Sequence, residues 1–209
     1  MTSPTPRPRP MVWSTRSAGT TCIAEGTSVT GPWPENARIR SRIRTAINAD
    51  VPAITEIYNQ AIALGNATAD TSPVTVESRR DWLARHPPET HPVYIAEYDG
   101  KLAGWCSISP YRPGRMALRH TAEISYYVHE DYRGKGAGSA LVEHAIGACS
   151  AIGLKTLFAI LLDNNPRSVA LLKKLGFQQW GHMPDVADFS GTEVGHLYYG
   201  LRLPAPNKT

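Results

Sequence analysis

The run Tyr132-Arg133-Gly134-Lys135-Gly136-Ala137-Gly138 holds the residues best suited to chemistry, because it stands between a strand-like apolar segment and an amphipathic stretch. Glycines let the backbone approach a ligand closely and adopt φ > 0. At a helix start they would also leave the first N–H groups free, with the positive end of the helix dipole behind them, a setting that favours phosphate oxygens. The same three glycines would equally make a plain tight turn. Spacing excludes two nucleotide loops. A Walker loop needs G-x-x-x-x-G-K-[ST], whereas Lys135 is followed by Gly136. A dinucleotide fingerprint needs G-x-G-x-x-G after the first strand and an acid about 20 residues on. Here the loop lies late in the chain and its glycines fall at 134, 136 and 138.

The flanking sequence supplies the elements that must hold this loop. Residues 1–37 are rich in Pro, Ser and Thr without apolar periodicity, which predicts a solvated N-terminal tail. A first strand is expected from Arg38 to Thr45. Asp50 then caps a helix with Pro52 in its first turn, and Ile54, Ile57, Tyr58, Ala61 and Ile62 recur on one face. A short helix fits Val76 to Arg85. VYIAEY and LAGWCSIS, joined by Asp99-Gly100, read as a β-hairpin. Ala122 to Val128 is a further strand, and a helix follows the glycine loop through Cys149. Leu154 to Leu162 is a strand, Asn164 to Leu175 a helix stopped by Gly176. Gln178 to Met183 and Glu193 to Leu203 close the domain as two strands. The reading is one mixed α/β domain over 38–203, with a C-terminal tail at 204–209.

Composition limits the function classes. With 42% hydrophobic and 19% charged residues the chain can form a core. The formal charge of +4 is scattered, with no basic run interleaved with aromatics, which argues against nucleic acid. Cys22, Cys106 and Cys149 are far apart and form no CxxC pair, so neither a disulfide framework nor a metal site is expected. No signal-peptide core and no stretch near the ~18 apolar residues of a membrane span occurs. The expected location is cytoplasmic, away from membranes.

Arg133, Gly136 and Gly138 also fit the R/Q-x-x-G-x-G/A motif of the GNAT superfamily of acetyltransferases. HTAEISYYVHEDYRGKGAG at 120–138 and DNNPRSVALLKKLGF at 163–177 resemble its amino-acid N-acyltransferase subgroup, which includes the phosphinothricin and methionine sulfoximine acetyltransferases. The resemblance implies a GNAT fold: a mostly antiparallel twisted sheet of about 6–7 strands, splayed at the fourth and fifth, with about four helices. It implies an N-acetyltransferase that uses acetyl-CoA as acyl donor. The backbone of Tyr126, Tyr127 and Val128 would pair with the pantetheine amides, and Arg133, Gly134, Lys135, Gly136, Ala137, Gly138 and Ser139 would hold the diphosphate. Asn165, with Ser168 nearby, would contact the pantetheine arm, although Asn165 equally suits a helix cap.

The implied reaction is attack of an acceptor amine on the thioester, which requires a base for the amine's proton. Strand alternation puts Glu123, Ser125 and Tyr127 on one face, which the resemblance places at the acceptor, with Glu123 as base. A strand-end Glu can also be merely solvated. The Val128 N–H would stabilise charge developing on the carbonyl oxygen. Tyr111, Arg112, Arg115 and Arg119 lie in the loop expected to hold the acceptor, and Arg112 would grip its carboxylate bidentately. Each arginine alone also reads as a surface residue.

Three departures from the subgroup bear on substrate and mechanism. Leu172 stands where relatives place a residue that meets the leaving thiolate, leaving water, another hydroxyl such as Tyr132 or Tyr198, or no acid at all for that role. Gly65-Asn66-Ala67-Thr68-Ala69 lacks an aromatic, and Gly191-Thr192-Glu193-Val194-Gly195 lacks the G-x-W-x-D pattern. A small amino-acid-like amine leads as acceptor. A peptide N-terminus, a polyamine, an aminoglycoside and a non-catalytic coenzyme-binding module are the rival readings. A homodimer is implied by resemblance only.

Overall fold

The computed structural model describes residues 41–204. The tail expected at 1–37, Arg38 to Arg40 of the expected first strand, and residues 205–209 lie outside the described residues.

Seven strands form one sheet in the order β1-β2-β3-β4-β5-β7-β6. They are β1 (Ser41–Thr45), β2 (Val93–Tyr98), β3 (Lys101–Pro110), β4 (Thr121–Val128), β5 (Thr156–Leu162), β6 (Gln178–Phe189) and β7 (Thr192–Arg202). Four helices flank it: α1 (Val51–Leu64), α2 (Val76–Ala84), α3 (Ala137–Ala148) and α4 (Pro166–Lys174). Among the described residues only β4 and β5 run parallel, and they pair over three positions, Thr121↔Thr156 to Glu123↔Phe158, before parting. This is the splayed mixed sheet that the sequence resemblance implies.

Period-two alternation divides the core. Val93, Ile95 and Trp105 face α1 and α2, packing with Val51, Ile54, Ile57, Tyr58 and Leu83. Tyr94, Ala96, Cys106, Ile108, Ala122 and Ile124 face the other way, against Ala140, Leu141, Ala145 and Leu172. Trp105 Nε1 donates to Ile54 O at 3.2 Å, tying α1 to β3 across the first face. The β2–β3 turn is as expected: Asp99 and Gly100 both hold φ > 0.

Two elements differ from the sequence reading. Asp50 precedes α1, but its carboxylate turns back to accept from Ile47 N at 2.7 Å and to receive Arg44 Nη1 and Nη2, each at 2.8 Å. The guanidinium is a stronger partner than a second helix-end N–H. β6 continues six residues beyond Met183, through Pro184 and Asp185, where the register with β7 slips between Met183 and Ala187. An irregularity with φ +54 at Asp185, on a strand that is mostly exposed, carries no clean alternation for a sequence pattern to reveal.

Candidate active site

The parting of β4 from β5 exposes main chain, and the ladder shows which. His129 N donates to Ala103 O and Tyr111 N to Thr121 O, so odd-numbered residues of β4 bond to β3 in a register that pairs Tyr127 with Trp105 and Val128 with Gly104. In an antiparallel ladder the intervening residues point their N–H and C=O groups the other way. Tyr126 and Val128 therefore offer amides to the split, while Tyr127 is committed to β3. The main-chain set expected at 126–128 narrows to these two.

Directly after β4, Gly134 and Gly136 take φ +76 and +92, conformations open mainly to glycine. Gly136 is the N-cap of α3, and the first i to i−4 bond is Ala140 N to Gly136 O. The N–H groups of Ala137, Gly138 and Ser139 precede that bond and have no partner within the helix. No acidic residue stands in this first turn to neutralise them. Gly138 serves another end: a Cβ there would lie 3.2 Å from Leu171 Cδ1 and 3.5 Å from Val128 Cγ2, so its absence lets α3 close on β4 and α4. Arg133 Nε donates to Val128 O at 3.3 Å, folding the loop back onto the strand it follows.

Loop, split and the start of α4 surround one cavity of about 1070 Å³. Tyr126, Tyr127, Val128, Arg133, Gly134, Lys135, Gly136, Ala137, Gly138, Ser139, Asn165 and Ser168 all line it. Asn165 caps α4, its Oδ1 accepting from Ser168 N at 3.2 Å. Burial pushes the Tyr126 phenol up to about 12, and its hydroxyl lies 3.5 Å from Ser168 O. Arg133, Lys135, Arg167 and Lys174 give the lining four cations. Free amides, a helix start and cations fit a diphosphate joined to an amide-bearing arm.

Sequence reasoning missed Tyr98, Ala61, Leu64, Arg167, Leu171 and Lys174 in this lining. Arg167, Leu171 and Lys174 follow helical spacing after the Asn165 cap and were open to inference; Tyr98 and α1 reach the cleft through tertiary packing only. Asn66, from the segment where the sequence departs from the subgroup, lines the cavity with a buried Oδ1 that has no partner. Tyr132 also lines it. Tyr198 does not, and Leu172 is fully buried in the core.

The remaining expected residues lie apart from this lining. Glu123 sits on the opposite face of β4, partly buried, and burial raises its carboxyl above the usual range, opposed by a hydrogen bond from Ser125. Tyr127 shares that face, its ring edge-on to Tyr58 at 5.0 Å. Tyr58 in turn bonds Asp70 at 2.7 Å and Thr68 at 2.9 Å, fastening the α1–α2 loop. Tyr111 and Arg112 line a second cavity of about 240 Å³. Arg112 is exposed, and Tyr111 stacks edge-on against Phe158, the β5 residue paired with Glu123. Among the described residues no group of three or more His, Cys, Asp or Glu could hold a metal ion. No helix there is long and apolar enough to cross a membrane.

The acetyltransferase (GNAT) family model matches residues 53–177. YwnH of Bacillus subtilis (strain 168) is 40% identical over 162 residues, 77% of this chain and 98% of that protein. The L-methionine sulfoximine/L-methionine sulfone acetyltransferase of Pseudomonas aeruginosa is 36% identical over 164 residues, 77% of this chain and 94% of its own length. The solved structure of a GNAT superfamily phosphinothricin acetyltransferase from Sinorhizobium meliloti in complex with AcCoA superposes with a TM-score of 0.75 at 29% identity. It covers 81% of this chain and 92% of that one.

Proposed function

This chain belongs to the acetyltransferase (GNAT) family, and on that premise we propose that it transfers acetyl from acetyl-CoA to the α-amino group of a small amino-acid-like acceptor of the methionine sulfoximine or phosphinothricin type. The observation that carries this reading is the junction of the Tyr126 and Val128 N–H groups, turned away from β3, with the glycine-lined start of α3 in one cavity. Acetyl-CoA brings an activated acyl carbon when bound. The first turn of α3, with Arg133 and Lys135, holds its diphosphate, and the Tyr126 and Val128 main chain aligns its arm along the split. The relatives named for methionine sulfoximine support the acceptor class.

The protein's own groups supply the rest. Glu123, on a face screened from bulk water, takes the proton that the acceptor nitrogen must shed. The Val128 N–H points into the split where negative charge would develop on oxygen, and a fixed dipole there needs no reorganisation. Arg112 and Tyr111 form the wall that receives the acceptor's carboxylate. Leu172, buried among apolar residues, donates nothing, so water or Tyr132 returns a proton to the departing sulfur. Two copies pair through the β6 edge, where Trp180, Met183 and Val186 stand about half exposed at 51%, 45% and 47%. The protein acts in the cytoplasm on small molecules, without nucleic acid or membrane.

Thiol release from acetyl-CoA, measured against methionine sulfoximine, phosphinothricin, free amino acids, dipeptides, polyamines and aminoglycosides, tests the assignment. The first two groups should give the highest kcat/KM. Preference for a polyamine or aminoglycoside would reject it.

A further inference from the structure

His86 is a buried titratable group outside the machinery described above. It is 8% exposed, at the end of α2, and both ring nitrogens are engaged: Nδ1 with Trp82 O at 2.8 Å and Nε2 with Ser109 Oγ at 3.0 Å. A carbonyl oxygen can only accept, so Nδ1 carries a hydrogen, and in the neutral ring Nε2 then presents a lone pair. The Ser109 hydroxyl must then donate to His86. Ser109 is also the residue directly opposite Glu123 in the β3–β4 ladder. Opposed residues of an antiparallel pair project from the same face with Cβ atoms about 4.5–5.5 Å apart. With its hydrogen given to His86, the Ser109 oxygen keeps lone pairs, and no hydrogen, on the face of the sheet that it shares with Glu123.

We propose that His86 is a positioning residue for Glu123: by holding the Ser109 hydroxyl hydrogen, it denies that donor to the carboxylate and leaves an acceptor for the protonated acid. The inference rests on Glu123 being the base. When the acceptor nitrogen gives its proton to the Glu123 carboxylate, the new O–H can donate to Ser109 Oγ. Before transfer, Ser125 is the hydroxyl donor to the carboxylate among the described residues. The arrangement thus favours the protonated form of Glu123 and makes it a stronger base. Burial holds His86 below its usual value, opposed by the bond to Trp82 O and reinforced by the charges of His91, Arg85 and Arg79, which favours the neutral ring. The other titratable group coupled to Glu123 is Tyr127, whose phenol burial keeps protonated.

The test is a carbon-13 titration of the Glu123 side-chain carboxyl by NMR in the full chain, together with the acid limb of kcat at saturating methionine sulfoximine. In His86→Phe the freed Ser109 hydroxyl turns to the carboxylate, and both midpoints should fall by about one pH unit, the worth of one charge-assisted hydrogen bond. Ser109→Ala and the double variant His86→Phe/Ser109→Ala, which lose the acceptor but gain no donor, should fall by less than His86→Phe and by the same amount as each other. His86→Gln, whose amide can both donate to Trp82 O and accept from Ser109, should restore the wild-type midpoint. KM for acetyl-CoA should not move in any of them. If His86→Phe leaves the carboxyl titration unchanged, or lowers it equally with and without Ser109, the proposal is overturned. Should His86→Phe fail to fold, Ser109→Ala and His86→Gln still decide, since a midpoint that does not fall in Ser109→Ala, or that falls in His86→Gln, contradicts the hydrogen-bond direction. Turnover retained in Glu123→Gln would instead reject Glu123 as base, and the NMR titration separates that failure from failure of the His86 contact.

Discussion

The two sides of β4 are built from different materials. Toward β5 and α3, the cleft presents main-chain groups: the Tyr126 and Val128 amides and the first turn of α3, set by glycines at positive φ. Toward α1 and α2, the strand presents side chains, Glu123, Ser125 and Tyr127, whose neighbours Tyr58, His86 and Ser109 come from distant segments. A main-chain site is fixed by conformation and tolerates many side chains. A side-chain site is fixed by packing and tolerates few. If this division holds, substitutions on one side should leave the other side's function intact.

The largest effect is expected at Glu123. If Glu123 is the proton acceptor, replacing it with Gln removes that acceptor, and kcat should fall roughly 10²- to 10⁴-fold. Calorimetry should find acetyl-CoA affinity unchanged, and a parallel loss of affinity would break the division. The pH dependence has a definite sign. A base works only when deprotonated and burial raises the Glu123 carboxyl, so on the proposed assignment wild-type kcat should be lost as pH falls, with a midpoint above the ~4.3 of free glutamate.

The next effect belongs to the other side. Gly136 holds φ +92 at the head of α3, where a β-branched residue is strained by roughly 1–3 kcal/mol. In Gly136→Val the loop should relax away from the geometry that aims its amides, and acetyl-CoA should bind about ten- to a hundredfold more weakly. KM for the acceptor should change little. An unaltered coenzyme affinity would mean that the diphosphate is held elsewhere.

The same division explains what the sequence made legible. Glycine spacing before a helix is a local pattern with a local consequence, so the cleft at 133–139 could be read residue by residue, as could α1 from Ile54 to Ile62 and the Asp99-Gly100 hairpin. The parallel β4–β5 contact, only three residues long, was implied by resemblance and by no pattern in the strands themselves. Tyr98 and Asn66 entered the cleft unannounced because tertiary packing, not neighbouring sequence, brings them there. His86 and Ser109 lie 23 residues apart and meet only because the segment after α2 folds against the end of β3. Asp50 shows the competition directly: a residue type that favours helix caps was taken by a guanidinium instead.

Arg112 is a more modest lever, because its exposed side chain has little desolvation to strengthen an ion pair. In Arg112→Ala, KM for an amino-acid acceptor should rise about tenfold, the loss of one charge-assisted contact. KM for acetyl-CoA should stay constant. An unchanged acceptor KM would remove the loop at 111–115 from the side-chain half of the site.

Asn165 tests the division at its finest, since it caps α4 with its oxygen and lines the cleft. Asp keeps an oxygen that can accept from Ser168 N but lacks the Nδ2 donor; Ala lacks both. In Asn165→Ala the lost cap should remove about 1 kcal/mol of stability and about 2–4 °C of Tm. In Asn165→Asp the Tm should hold, while acetyl-CoA binds about three- to tenfold more weakly for want of one neutral hydrogen bond. If Asp matches wild type in both measurements, Asn165 acts only by starting the helix, and the cleft is a main-chain site throughout. If Asp weakens binding as expected, one side chain has crossed into it, and the boundary between the two sides runs through α4 as well as along β4.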